Sequence, residues 1–337
     1  MLWAGRVRTA YRSVAPRLGI LTALQSIKAA MAADWKEQTE RSNAFWVRLL
    51  LRIGQLGGRP LARLILWPVV AYFLCSSPKA RAASRQYLRL ALGREPVWAD
   101  LWRHFHCFAA TVLDRLFLAD PHPRQFEVDI QGDELFDPLV QRGQGGLIFV
   151  AHIGSFDALR LASLKRSDGL RLRVLLNMAH GAAFNSVLRA LNPALLEDII
   201  DTSRGGVDLA LQVGEALQRG EMVAMMADRL EDPAEPTLEL RLLGAPVCLP
   251  ARPWLLALSL GVPVFGCVCL YLGGKQYRLR FEALLPGGQT VPRPQRLEQA
   301  ADLAQRWLEG LEEALSQAPY NWFNFYPYFE ASSSRAD

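Results

Sequence analysis

The spacing of apolar residues divides the chain into two textures. From Ala44 to Leu118 apolar residues form long runs or recur at helical spacing, and the interruptions are mostly single arginines. From Phe126 onward, short runs rich in Val, Ile, Leu and Phe alternate with stretches of three-to-four periodicity, the pattern of an α/β domain. It predicts strands over Phe126–Ile130, Leu147–Ala151, Leu172–Asn177, Asp198–Ile200, Met222–Ala227, Leu238–Leu242, Val264–Tyr271 and Tyr277–Ala283. Helices are predicted over Asp133–Gln141, Ser155–Lys165, Ala183–Leu191, Val207–Gln218, Arg252–Leu260 and Leu297–Ser316. The fold class expected is α/β, a mixed, mostly parallel sheet flanked by helices and preceded by a basic, amphipathic helical region.

That preceding region carries its own information. Lys79–Leu92 reads as a basic amphipathic helix closed by Gly93, and Trp98–Leu118 as a second helix in which His104 and His106 are packing or interface residues rather than ligands. Ala44–Ser77 is the most apolar part of the chain. Its longest charge-free stretch, Leu64–Pro78, has only fifteen residues and contains Pro68, whereas a spanning helix wants about 20 apolar residues. The expectation is therefore a monotopic or re-entrant anchor, with Arg48, Arg52, Arg59 and Arg63 at lipid headgroups and Trp46, Trp67 and Tyr72 near the interface. A buried core helix with a solvated basic face is the competing reading. The boundaries that follow are a basic extension at 1–33, a helical membrane-associating region at 34–120, an α/β domain at 121–330 and a tail at 331–337. Residues 1–33 imitate a signal peptide only faintly, because the apolar patch Leu18–Leu24 is short and interrupted.

Charge sharpens this division. The chain of 337 residues has a net charge of +5, but residues 1–94 carry sixteen Lys/Arg against three acids, leaving the remainder net acidic. A basic, apolar N-terminal third points to an anionic membrane surface. Nucleic acid is disfavoured, since the basic residues alternate with Leu, Ile, Val and Trp rather than with polar or stacking residues. The five cysteines form neither a CxxC nor a Cys/His quartet at zinc spacing, so neither a metal site nor a disulfide framework is expected. Cys267 and Cys269, two apart in a predicted strand, should share one face as core thiols. There is also no P-loop, GxSxG elbow, HExxH or strand–helix GxGxxG.

The candidate chemistry lies at Gly145–Arg160, GGLIFVAHIGSFDALR. His152 is expected where a buried strand ends and Asp157 in the first turn of the next helix, with Ser155 as its N-cap. His122 and Glu127 repeat the spacing in a Pro-rich connection, but only His152/Asp157 has a strand–turn–helix context. A histidine whose tautomer a carboxylate fixes is a general base for a hydroxyl or water. Two other stretches end in charge: Asp201-Thr-Ser-Arg204-Gly-Gly before a helix, and the strand Met222–Ala227 followed by Asp228-Arg229.

With His152 and Asp157 as HxxxxD, these blocks resemble the lysophospholipid acyltransferase superfamily, in particular the branch of bacterial lipid A late acyltransferases and related glycolipid acyltransferases. Leu243-Gly-Ala-Pro246, Gly261-Val-Pro263-Val and the aromatic ending Trp322-Phe-Asn-Phe-Tyr continue the likeness, which spans about Trp35–Phe329. Ala151 stands where many glycerolipid members have Asn. Asp157 is the glycerolipid form of the acid, and the basic tail of the lipid A enzymes is missing. The resemblance implies a glycerolipid-acyltransferase-like fold and acyl transfer from an acyl carrier protein or coenzyme A thioester to a hydroxyl of a membrane glycolipid or lysolipid, with no bound cofactor or metal. It implies His152 as base, Asp157 as its orienting acid, and Arg204, Asp228 and Arg229 as substrate-binding residues. Gly154, Ser155 and Arg229 are the candidates to hold the oxyanion, and the cytoplasmic face of a bacterial inner membrane is the expected location. A thioesterase using water, or a catalytically silent scaffold, remains open at this point.

Overall fold

The structure is a computed structural model. It describes residues 41–118, 125–166, 168–177, 197–204, 206–230, 235–288 and 291–329. The helix expected at Ala183–Leu191 lies outside the described residues. The described elements are helices α1 (Arg41–Ser76), α2 (Pro78–Leu92), α3 (Trp98–Leu118), α4 (Asp137–Arg142), α5 (Leu159–Lys165), α6 (Gly206–Gln218), α7 (Arg252–Leu260) and α8 (Arg296–Gln317). The strands are β1 (Glu127–Gln131), β2 (Gly146–Gly154), β3 (Leu172–Leu176), β4 (Ile199–Asp201), β5 (Met222–Met226), β6 (Thr237–Leu242), β7 (Ala245–Pro250), β8 (Val264–Gly273) and β9 (Gln276–Leu285).

Seven strands form one mixed sheet in the order β1-β9-β8-β2-β5-β3-β4, and helices flank it. The strands β8, β2, β5, β3 and β4 are mutually parallel, whereas β9 pairs antiparallel with β8 and carries β1 parallel to itself. The centre is β2. Its residues Gly146–Ala151 are all buried, as expected for a parallel strand covered on both faces. Beneath it Phe149 meets Trp254 of α7, which meets Trp307 of α8, with ring centroids 4.4 and 5.4 Å apart. The mixed, mostly parallel sheet and its helical cover are thus as expected.

One strand was not anticipated. The Pro-containing run Ala245–Pro250 forms β7, an antiparallel hairpin with β6. Its turn is Leu243–Gly244, both at positive φ (53° and 75°), the geometry of a tight two-residue hairpin turn. Proline at both ends of an edge strand removes donors where the ladder can spare them, which conceals the strand in a hydropathy reading. Cys267 and Cys269 do lie on one face of β8, buried, with sulfurs 3.8 Å apart.

The N-terminal helices correct part of the expectation. Helix α1 is broken at Gly58 (φ 61°, ψ −154°), followed at once by Arg59-Pro60. Arg59 and Arg63 do not reach out to headgroups. Arg59 makes a bidentate bridge to Asp114 of α3 (2.8 and 2.9 Å), and Arg63 Nη2 lies 2.5 Å from the same carboxylate. Tyr277 Oη donates to Asp114 Oδ2 at 2.8 Å, and both arginines also donate to the β8–β9 turn at the Gly274 carbonyl. The physical reason is Asp114, fully buried on α3, whose charge must be paired. The side chains of Trp46, Arg48 and Arg52 lie outside the described residues. The stretch Gly58–Ser76 is long and apolar enough to cross a membrane by length and composition alone, and less than half of it is buried. Its other side leaves Leu64, Trp67 and Tyr72 exposed.

Asp114→Ala should strand two guanidinium groups in or near the interior. We expect a loss of about 3–5 kcal/mol, the usual cost of breaking a buried ion pair from one side. Denaturant unfolding of wild type and variant would measure it, and a change under about 1 kcal/mol would contradict this account of how α1 is held.

Candidate active site

The site forms at the carboxyl end of β2, where that strand leaves its neighbours. Strands β2 and β8 stay in register from Leu147 to Val150 and then shift, so that Gly154 comes opposite Cys269. Such irregularities re-aim side chains beside functional sites. Gly154 has φ 57°, and a Cβ there would come within 2.8 Å of the Cys269 carbonyl carbon and closer still to its oxygen. Only glycine fits this turn. The backbone released by the shift is taken up by the C-terminal aromatic tail: Gly154 N donates to Asn321 O at 2.8 Å and Phe323 N to His152 O at 2.8 Å. Ser155 N donates to Cys269 O at 2.9 Å.

His152 therefore sits on a backbone held from both sides, and its ring is held from β5. The β2–β5 ladder runs to the bond from Ala227 N to Val150 O; the next step goes through a side chain, His152 N donating to Asp228 Oδ2 at 3.0 Å. The other oxygen, Asp228 Oδ1, lies 2.8 Å from His152 Nδ1. A carboxylate accepts only, so Nδ1 carries the proton and the Nε2 lone pair is left available. Among the described residues Nε2 has no hydrogen-bond partner, and the side chain is 26% exposed while that of Asp228 is 1% exposed. Burial lowers the affinity of His152 for a proton. Asp228 works against burial, while Arg229 and Arg115 add to it, and the net shift is downward. Burial alone would raise the Asp228 pKa. The His152 charge and hydrogen bond, with Arg229 and the His152 N–H, outweigh it and hold Asp228 well below the usual carboxylate range. The resting pair is a neutral imidazole on an ionised carboxylate.

Asp157 is not the partner of His152. Its Oδ2 lies 2.6 Å from Arg115 Nε in the last turn of α3, an ion pair set by proximity more than by an aligned N–H. The orienting acid instead comes from Asp228, which the sequence assigned to substrate binding. Strand order decides this: β5 lies directly beside β2, so the residue two past its end reaches the imidazole. Ser155 occupies the N-cap position of a 3-10 turn (Phe156–Ala158) leading into α5, but its hydroxyl makes no capping bond and is buried without a hydrogen-bond partner among the described residues. The amides of Gly154 and Ser155, expected to face an oxyanion, are both engaged inside the fold. Arg229 is also committed, with Nε donating to Asn324 Oδ1 at 2.5 Å and Nη2 to Phe323 O at 2.6 Å, over the Tyr326 ring. Arg204 ends a 3-10 turn after β4, at the same end of the sheet. Three strand spacings separate β4 from β2, about 14 Å, and the Arg204 side chain lies outside the described residues.

The tail is the part that the sequence concealed. Expected only to close the core, it supports the site directly: Asn324 Nδ2 donates to Asp228 Oδ2 at 3.2 Å and Tyr328 Oη to Asp228 O at 2.7 Å. It is itself clamped by His104 of α3, whose Nε2 donates to Trp322 O at 2.7 Å while Nδ1 accepts from Ser84 Oγ at 2.7 Å. The pair of asparagines at 321 and 324, set among aromatics, was the available signal. Among the described residues no group of three His, Cys, Asp or Glu side chains is placed to hold a metal ion. Compared with known proteins, the chain matches no family model and no curated relative.

Two outcomes follow. Gly154→Ala should lower the unfolding temperature, because the added methyl meets backbone rather than a side chain that can turn aside; a variant with wild-type melting would refute this. Asn324→Ala removes the bond from Nδ2 to Asp228 Oδ2 and the acceptor, Oδ1, that holds Arg229 Nε. It should cost about 1–3 kcal/mol of stability, the usual penalty for buried polar groups left unpaired. Unfolding curves of the variant would read it.

Proposed function

We propose that this protein is an O-acyltransferase that moves a fatty acyl chain from an acyl carrier protein or coenzyme A thioester to a hydroxyl of a membrane glycolipid or lysolipid. The observation that carries the reading is His152, partly exposed at the carboxyl end of the central parallel strand, with Nδ1 bonded to a buried carboxylate and Nε2 turned to no protein group among the described residues. The HxxxxD block and the motifs after it support a place in the lysophospholipid acyltransferase superfamily, on the lipid A or glycolipid branch. They favour the carrier protein as donor.

The chemistry follows from the dyad. His152 Nε2 takes the proton of the acceptor hydroxyl as its oxygen attacks the thioester carbonyl. Asp228 steadies the imidazolium that forms and keeps the tautomer correct, the part a carboxylate plays in a Ser-His-Asp triad with the substrate alcohol in the place of serine. Collapse of the tetrahedral intermediate forms the ester and breaks the C–S bond, and the departing thiolate receives the proton from His152. General-base assistance is worth roughly 10²–10⁴ in rate. Arg204, at the same end of the sheet, is a candidate for a phosphate or carboxylate on the acceptor.

A lipid acceptor suits the exposed surface of the N-terminal helices. Leu64, Trp67 and Tyr72 on α1 and Trp98 on α3 are exposed, and α2 exposes Lys79, Arg85 and Arg89. We read this as a peripheral or monotopic contact with an anionic membrane, on the cytoplasmic face of an inner membrane, where acyl thioesters are made.

The deciding experiment incubates membranes holding wild type or His152→Ala with radiolabelled acyl carrier protein or coenzyme A thioester and a polar lipid extract. A labelled lipid that disappears with His152→Ala is expected. Label released only as free fatty acid would move the reading to a thioesterase, and no His152-dependent product from either donor would leave a scaffold. Asp228→Asn should lower kcat by about 10³–10⁴, as tautomer loss does in a triad. The acid limb of kcat/KM should fall below the ordinary histidine value of about 6.5, because the imidazole must be neutral to act and its pKa is depressed.

A further inference from the structure

We propose that Arg115, held in place by Asp157, is the residue that stabilises the negative charge developing on the thioester carbonyl oxygen. The inference rests on the acyl-transfer reading and gives Asp157 a role that orienting His152 does not fill.

The groups that the local sequence offers for that charge are occupied elsewhere. The N–H groups of Gly154 and Ser155 donate to Asn321 O and Cys269 O, and Arg229 donates to Asn324 Oδ1 and Phe323 O. Stabilising the oxyanion is usually the greatest single contribution to catalysis of acyl transfer, and a general base alone does not supply it. Arg115 is the cation we assign to that charge. It lies in the last turn of α3, which packs against β2 and the 3-10 turn that follows. Its Nε is 2.6 Å from Asp157 Oδ2, and the two side chains are 27% and 24% exposed, much like His152 itself. Both side chains are partly exposed, and Asp157 stands on the turn that follows the strand carrying His152.

Electrostatics agree with the placement. The Arg115 charge reaches His152 and, with Arg229, opposes protonation of the imidazole, while Asp228 favours it. The other polar groups gathered here are Asn324, Tyr326 and Tyr328 of the tail and the Ser155 hydroxyl. A cation near the base suits a reaction in which negative charge appears on an oxygen close to it. Asp157 then acts through Arg115: it offsets the cost of holding a guanidinium at a half-buried site and sets where that guanidinium lies. Asp157 is a positioning residue, and its partner is an arginine.

The test uses the full-length protein in membranes with lauroyl and palmitoyl thioesters of acyl carrier protein and coenzyme A, and a polar lipid extract as acceptor. Arg115→Met should lower kcat by about 10²–10³, the loss seen when one oxyanion donor is removed, with KM for the thioester within a few-fold of wild type. Its acid limb should move to higher pH, since a cation that opposed protonation of His152 is gone. Asp157→Asn should lose less, and the double variant Arg115→Met/Asp157→Asn should be no worse than Arg115→Met alone, because the acid works through the arginine. Arg115→Lys, which keeps the charge without the fork, should recover part of the rate and restore the acid limb; it also serves if Arg115→Met proves unstable. Wild-type kcat in Arg115→Met, a defect confined to KM, or losses that multiply in the double variant would each overturn the proposal, provided that His152→Ala is inactive. Full activity in His152→Ala would instead overturn the acyl-transfer reading beneath it.

Discussion

Everything at this site depends on how the last residues of β2 are held once they leave the sheet. A buried strand that shifts register exposes backbone groups with no ladder to satisfy them, and an unpaired buried amide or carbonyl costs as much as a lost hydrogen bond. Here His152 O, Gly154 N and Ser155 N are taken by Phe323, Asn321 and Cys269, and His152 N by the Asp228 carboxylate. With its backbone bonded on both sides, the one polar group of His152 without a partner among the described residues is Nε2. The bulge, the glycine at positive φ and the aromatic tail are parts of one arrangement that fixes an imidazole at a strand end.

Helix α3 joins this arrangement to the N-terminal helices. Asp114 and Arg115 are neighbours in sequence and point about 100° apart around the helix. Asp114 gathers Arg59, Arg63 and Tyr277, tying α1 to the β8–β9 hairpin; Arg115 meets Asp157 on the turn after β2. One turn before the middle of the same helix, His104 clamps Trp322 and with it the tail. Helix α3 is therefore joined to the backbone around His152 by two routes, through Arg115 and Asp157 and through the tail, while its own position is set by buried charge. Part of the basic N-terminal region is structural for this reason. Its arginines answer an acid inside the protein, while Leu64, Trp67 and Tyr72 on the other side of α1 stay exposed.

Much of the α/β pattern was legible in local sequence. The alternation of apolar runs located eight of the nine strands, and it located helices α2, α3, α6, α7 and α8 to within a residue or two, because those signals are set by the period of each element. The missed strand, β7, has prolines where an edge can tolerate them. At the site, the His152 position was legible because a Val/Ile/Phe run ending in Ala-His-x-Gly is a strand end. The identity of its acid was not. Asp157 is five residues away and Asp228 is seventy-six away, and no spacing along the chain says which carboxylate the imidazole will face.

What the sequence by itself determined is the set of elements and the residues capable of chemistry: a buried strand, a histidine at its end, charges after β4 and β5, and a basic apolar beginning. These depend on local periodicity and residue type. Pairing was decided only by tertiary structure. Placing β5 beside β2 gave His152 to Asp228, and packing α3 on the turn after β2 gave Asp157 to Arg115. Burying Asp114 drew Arg59 and Arg63 inward, and laying the tail along the end of β2 turned Asn324 and Tyr328 into supports of the site. The physical reason is common to all four: charges and backbone groups removed from water must find partners, and in this fold those partners lie far apart in the chain.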